Sequence, residues 1–131
     1  MAYGSLLQKR RRALHARIVE AIEGLYADRL TDQVERLAHH ALWGEVWDKA
    51  LAYCRQAGTR AAARSAHREA VAYFEQALTA LAQLPEHRNT VEQAIDLRFD
   101  LRHVLAPLGE HARTLDYLCA AEALAEPLGD P

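Results

Sequence analysis

The stretch "SAHREAVAYFEQALTAL", Ser65 to Leu81, decides how this chain folds. Its apolar positions Ala66, Ala70, Tyr73, Phe74, Ala77 and Leu81 recur at three and four residues, the spacing of one face of an α-helix. Three of them are alanines, where a core helix would ordinarily carry leucine or isoleucine. Small side chains on a buried face let a second helix come close, so the stretch predicts a helix nested against a neighbour, with Phe74 filling the gap. The segment before it offers the matching surface: from Glu45 to Arg64, the residues Trp47, Ala50, Leu51, Cys54, Ala57, Gly58 and Ala61 share one line. Gly58 inside that line costs about 1 kcal/mol relative to alanine, which a close backbone contact would offset.

The same periodicity extends outward in both directions. "SLLQKRRRALHARIVEAIEGLYADRL" predicts a first helix from an N-cap at Ser5, with Leu7, Leu14, Ile18, Ala21, Ile22 and Leu25 on one face and Arg11 on the same stripe. Such a charge on an apolar stripe suggests that this part of the helix is open to solvent or borders a further neighbour. "TDQVERLAHHALWGE" predicts a second, capped by Thr31 or Asp32 and stopped by Gly44, with Val34, Leu37, Ala38, Ala41 and Leu42 inward. A fifth, Asn89 to Leu108, sets Ala94, Leu97, Leu101, Val104, Leu105 and Leu108 on a face, and a sixth, from about Glu110 to Ala125, points Leu115, Leu118, Ala121 and Ala125 inward. About six helices joined by short connections imply an all-α fold of antiparallel hairpins. Composition agrees: 50% of the 131 residues are hydrophobic but only 7% aromatic, with alanine and leucine dominant. A chain of this length can bury a core without disulfides or metal staples. Cys54 and Cys119 stand far apart with no CxxC, as buried small hydrophobes. With no signal-like N-terminus and no apolar run of membrane length, the expected location is the cytoplasm and no membrane partner is expected.

Laid over itself so that Ser65 falls on Gly109, the chain sets His67 on His111, Val71 on Leu115, Tyr73 on Tyr117, Phe74 on Leu118 and Ala77 on Ala121. Repetition on this scale marks units that bury their faces against one another. Gly58, Ser65, Ala70, Phe74 and Ala77 resemble the tetratricopeptide repeat in order and spacing, at about 34 residues per unit. In the second copy Gly109, Leu118 and Ala121 fit, whereas Arg102 and Thr114 stand where small residues belong, and an insertion around "LPEHRNTVEQ" lengthens the offset. The resemblance implies a single repeat domain over 1–131, with a degenerate N-terminal pair at 1–44 and repeat hairpins at 45–84 and 89–128, stacked as a right-handed superhelical solenoid. More widely, the chain looks like the helical-repeat segment of large bacterial signalling proteins that carry a class III adenylate or guanylate cyclase or another effector domain, with an AAA- or STAND-type ATPase. That likeness implies a fragment of a larger chain. The closing "LGDP", with an Asp cap and a Pro in first-turn position, reads as the start of a further helix.

No GxxxxGK[ST], GxGxxG or GxSxG occurs, so no enzyme activity and no cofactor is expected in this segment. Ser5 and Ser65 read as caps rather than nucleophiles. Glu92, Asp96, Asp100 and His103 follow one another on a helix face, yet no matching ligand set appears on a facing helix, so no metal is expected. His39 and His40 are adjacent and point apart, and Trp43 and Trp47 read as hairpin-packing residues. The net charge of −2 is uneven: Lys9, Arg10, Arg11, Arg12 and Arg17 crowd residues 1–19 without an acid. The four basics from Lys9 to Arg12 spread around a helix instead of forming a stripe, so nucleic acid is an unlikely partner. The expectation is a non-catalytic protein-binding scaffold for a protein or peptide. Candidate contact residues are Arg60, Arg64, Arg98 and Arg102; self-association through Leu118, Leu124 and Leu128 is the first alternative, followed by nucleic-acid binding through Lys9 to Arg12 and, last, a helical metalloenzyme.

Overall fold

A computed structural model describes residues 2–128, and no strand occurs among them. Six α-helices follow in order: α1 (Ala2–Leu25), α2 (Val34–Trp43), α3 (Trp47–Ala63), α4 (His67–Ala82), α5 (Arg88–Leu105) and α6 (His111–Ala125). Short 3-10 segments lie at Ala27–Gln33, Ala106–Leu108 and Glu126–Leu128. The α3/α4 pair falls within 45–84, and α5/α6 covers 88–125. Gly129, Asp130 and Pro131, read above as the start of another helix, lie outside the described residues.

Three of the connections share one geometry. Glu45, Ser65 and Gly109 all adopt left-handed backbone, with φ of 55°, 62° and 74°. In each turn the following N–H donates to a carbonyl five residues back: Val46 to Ala41 at 2.9 Å, Ala66 to Ala61 at 2.8 Å, and Glu110 to Leu105 at 3.3 Å. That is the Schellman closure, which satisfies carbonyls orphaned at a helix end. The next helix then starts from Val46, Ala66 or Glu110, none of which caps through its side chain. The α4–α5 connection differs. There the Thr90 hydroxyl accepts from the His87 N–H at 2.9 Å and donates to the His87 carbonyl at 2.8 Å, closing the longer stretch that separates the two hairpins.

One core runs through α1 to α5, and Tyr117 of α6 packs against it. Val34, Leu37, Ala38 and Ala41 of α2, Ala50, Cys54, Ala57 and Ala61 of α3, Ala70, Phe74, Ala77 and Ala80 of α4, and Leu97, Leu101 and Leu105 of α5 are buried, joined by Val19 and Ile22 of α1; Ala121 of α6 is buried as well. Gly58 is buried against Phe74: a Cβ at Gly58 would lie 2.7 Å from the ring.

Several local expectations are corrected. Helix α1 begins before Ser5, which sits inside it and is exposed, and ends at Leu25, where the sequence pattern carried it to Leu30. Neither Thr31 nor Asp32 caps α2. Both lie in the 3-10 segment, and the N-cap is Gln33, whose side chain accepts from Arg36 and not from the helix backbone. Gly44 is right-handed, and Glu45 makes the turn. What Gly44 supplies is proximity, since a Cβ there would lie 2.8 Å from the Ala16 backbone nitrogen of α1. Ser65 is the left-handed turn residue and not the cap of α4, which is Ala66. On α1 the buried residues are Val19 and Ile22, whereas Leu7, Leu14, Ala21 and Leu25 are exposed, because the face turned to the core is the one carrying Val19 and Ile22, rotated from the expected stripe, and Gly4 to Arg11 lie outside the core altogether. Trp47 packs against the core as expected, but Trp43 is 60% exposed.

Candidate docking surface

Polar links that skip one helix tie the molecule together. Glu23 of α1 receives the Lys49 ammonium at 2.7 Å and the Tyr53 hydroxyl, both from α3. Glu75 of α4 receives Arg113 at 2.6 Å and the Tyr117 hydroxyl at 2.7 Å, both from α6. In each case a cation and a tyrosine one helical turn apart hold a single carboxylate. A third link joins Arg55 of α3 to Asp100 of α5 at 3.1 Å. Burial raises the Tyr53 pKa to about 12, and its bond to Glu23 adds to the shift. For Glu23, burial pushes the carboxyl upward, but the bonds from Lys49 and Tyr53 outweigh it and leave the group below its ordinary value. Asp100 is shifted upward by burial despite Arg55.

The four arginines singled out in the sequence do not converge. Arg60 bonds the Thr31 carbonyl and lies 3.4 Å from Glu35, while Arg64 pairs with Glu69 at 2.7 Å and lies 3.9 Å from Glu35. These two form one patch around Glu35, with their charges largely answered inside the chain. Arg98 lines a recess between α4, α5 and α6, donates from Nη1 to the Ala94 carbonyl at 2.9 Å, and has a buried Nε without a partner. Burial lowers its pKa. Arg102 is exposed. Of the repeat positions, Gly58, Ala70, Phe74, Ala77 and Ala121 are buried, Leu118 is half-buried, and Ser65 and Gly109 sit at exposed turns. Leu124 and Leu128 are half-buried as well. Glu92 of the acidic face pairs with Arg88 at 3.1 Å, and Asp100 with Arg55. Cys54 is buried and Cys119 exposed.

Two features escaped the sequence reading. The first is a histidine cluster. His39 and His40 do not point apart: their rings lie 5.0 Å from each other, and His15 of α1 stacks at 5.1 Å from His40 with the two Nδ1 atoms 2.9 Å apart. Burial, followed by the nearby charges of His39, His15 and Arg36, lowers the His40 pKa.

The second feature is a furrow along α2 and α4 that continues beneath the N-terminal half of α1. Its larger part, about 640 Å³, is lined by Arg11, Arg12 and His15 of α1, by Trp43, Glu45 and Trp47 around the α2–α3 turn, and by Gln76 and Thr79 of α4. A recess of about 300 Å³ continues it between α2 and α4, sharing Leu42, Trp43 and Gln76. None of the four candidate arginines lines either part. Exposed aromatics and cations at neighbouring positions were the available signal, but only the packing of α1 across the α2–α3 turn unites them. No helix among the described residues is long and apolar enough to cross a membrane. Comparisons with family models, curated proteins and solved structures gave no match.

Proposed function

We propose that the chain is a non-catalytic helical-repeat module, of the tetratricopeptide kind, that docks a protein or peptide. One observation carries this reading: the same turn geometry recurs at Glu45, Ser65 and Gly109, and the helices between these turns nest through Gly58, Ala70 and Ala77. Units that pack by recurrence make elongated stacks whose side walls remain available to partners. The wider role, as a regulatory region whose docking is relayed to a cyclase or ATPase domain elsewhere in a signalling protein, rests on the sequence resemblance. A peptide-display selection against the whole purified chain, followed by calorimetry on the enriched peptides, tests the docking function. Saturable binding at micromolar concentrations is expected. Failure to enrich any peptide over an unrelated helical protein overturns it.

Self-association is the second reading, and it has its own observation. Val71 of α4 is 6% exposed and belongs to the core, whereas Leu115, its counterpart on α6, is 61% exposed. Sedimentation across a range of concentrations should then show a dimer that Leu115→Glu dissociates. A monomer at the highest concentration eliminates this reading.

A further inference from the structure

The furrow beneath α1 has a composition that specifies its occupant. Glu45 is the only carboxylate lining its larger part, and Arg12 neutralises it at 2.5 Å. The smaller recess is lined by Glu35 and Glu69, whose charges Arg60 and Arg64 answer from outside it, so the larger part is the one that favours an anion. Arg11 is exposed and makes no ion pair among the described residues. It belongs to a basic run, Lys9 to Arg12, with no acid anywhere in residues 1–19. On its own helical stripe it is flanked by Leu7 and Leu14, 39% and 57% exposed. Across the furrow Trp43, 60% exposed, stands where the two recesses join. An indole left outside the core at a cleft is the side chain that most often anchors a partner, because it buries a large area at small entropic cost. The Gln76 amide, which accepts from the Cys54 thiol at 3.9 Å, adds a polar group on the far wall.

We propose that the larger part of this furrow docks an acidic peptide segment of a partner protein, with a carboxylate paired to Arg11 and an apolar side chain held against Trp43. The inference rests on the docking reading above and names the chemistry of its partner. Charge complementarity favours a carboxylate, and the exposed apolar rim demands a hydrophobic residue beside it. A nucleic-acid strand fits less well. It requires a track of cations along its phosphates, whereas the furrow holds one unpaired guanidinium, and Lys9, Arg10 and Arg17 do not line it.

The test uses the whole chain and three fluorescein-labelled probes: a peptide alternating Asp or Glu with Leu or Phe, the same peptide with Lys for each acid, and a single-stranded oligonucleotide. The acidic peptide should bind at least tenfold more tightly than the other two. Arg11→Glu and Trp43→Ala should each weaken it by about tenfold or more, with Arg102→Glu, at an exposed residue lining neither recess, as a control that leaves it unchanged. Helical circular dichroism confirms that the variants are folded. Binding of peptides from the display selection that is indifferent to both furrow variants overturns this inference and leaves the docking reading standing. Equal or tighter binding of the oligonucleotide also overturns it. If no peptide binds at all, both fall together.

Discussion

The Phe74 ring occupies the space that a side chain on Gly58 would take, with Cε1 and Cδ1 2.7 and 2.8 Å from where a Cβ would stand. Phe74 is 3% exposed, so the ring has little room to retreat. Gly58→Ala gains about 1 kcal/mol of helix propensity but incurs an overpacking cost of about 1–3 kcal/mol. A net loss of about 1 kcal/mol is expected in urea denaturation. Phe74→Leu in the same chain should recover part of it. An unchanged or higher midpoint for Gly58→Ala would show that α3 and α4 have slack at this contact.

The matching turns predict opposite effects for two substitutions. Ser65 adopts left-handed backbone that costs an ordinary residue about 1 kcal/mol, so Ser65→Gly should stabilise by about 0.5–1 kcal/mol. Gly109→Ala should lose a similar amount through backbone strain alone, because nothing lies within 4 Å of a Cβ there. Thermal melts of the two variants should therefore shift in opposite directions. Shifts of the same sign would refute the shared turn geometry.

The histidine cluster makes stability depend on pH. Burial, with the charges of His39, His15 and Arg36, depresses the His40 pKa in the folded chain. As pH falls below about 6.5, the unfolded chain protonates His40 before the folded chain does. The unfolded state then holds more protons, so this contribution is fully present above about 6.5 and is lost as pH drops toward the depressed folded value. The melting temperature of wild type should fall more between about pH 7.5 and 5.5 than that of His40→Gln. Equal slopes would remove His40 from the account.

The two thiols should react in sequence. Cys119 is exposed, whereas Cys54 is buried and its pKa is pushed up to about 12, so little nucleophilic thiolate forms near neutral pH. An aromatic disulfide reagent is expected to modify Cys119 promptly in the native chain and Cys54 only on the timescale of unfolding. Prompt modification of both would mean that α3 lifts away from α4 in the native ensemble.

The hairpin built on Ser65–Leu81 was legible because its determinants are local. Ala70, Phe74 and Ala77 recur at helical spacing, and Gly58 in the helix before them calls for a close contact. The turns were legible only in part. A glycine is the expected left-handed residue, and Gly109 fills that role, but at the α2–α3 turn Glu45 adopts the strained conformation while Gly44 makes room for the backbone of α1. Which of two adjacent residues turns the chain depends on what packs against them.

Periodicity along the chain was enough to establish an all-helical molecule and the small-residue seam between α3 and α4, since burying one face of a helix leaves a trace every three to four residues. Only tertiary structure decided the course of α1: that Val19 and Ile22 enter the core while Leu7 and Leu14 stay outside, that His15 meets His40, and that Arg11 and Trp43 line the same furrow. Those relationships join residues from different helices, and the angle at which one helix crosses another comes from the packing of the whole rather than from the spacing within either segment.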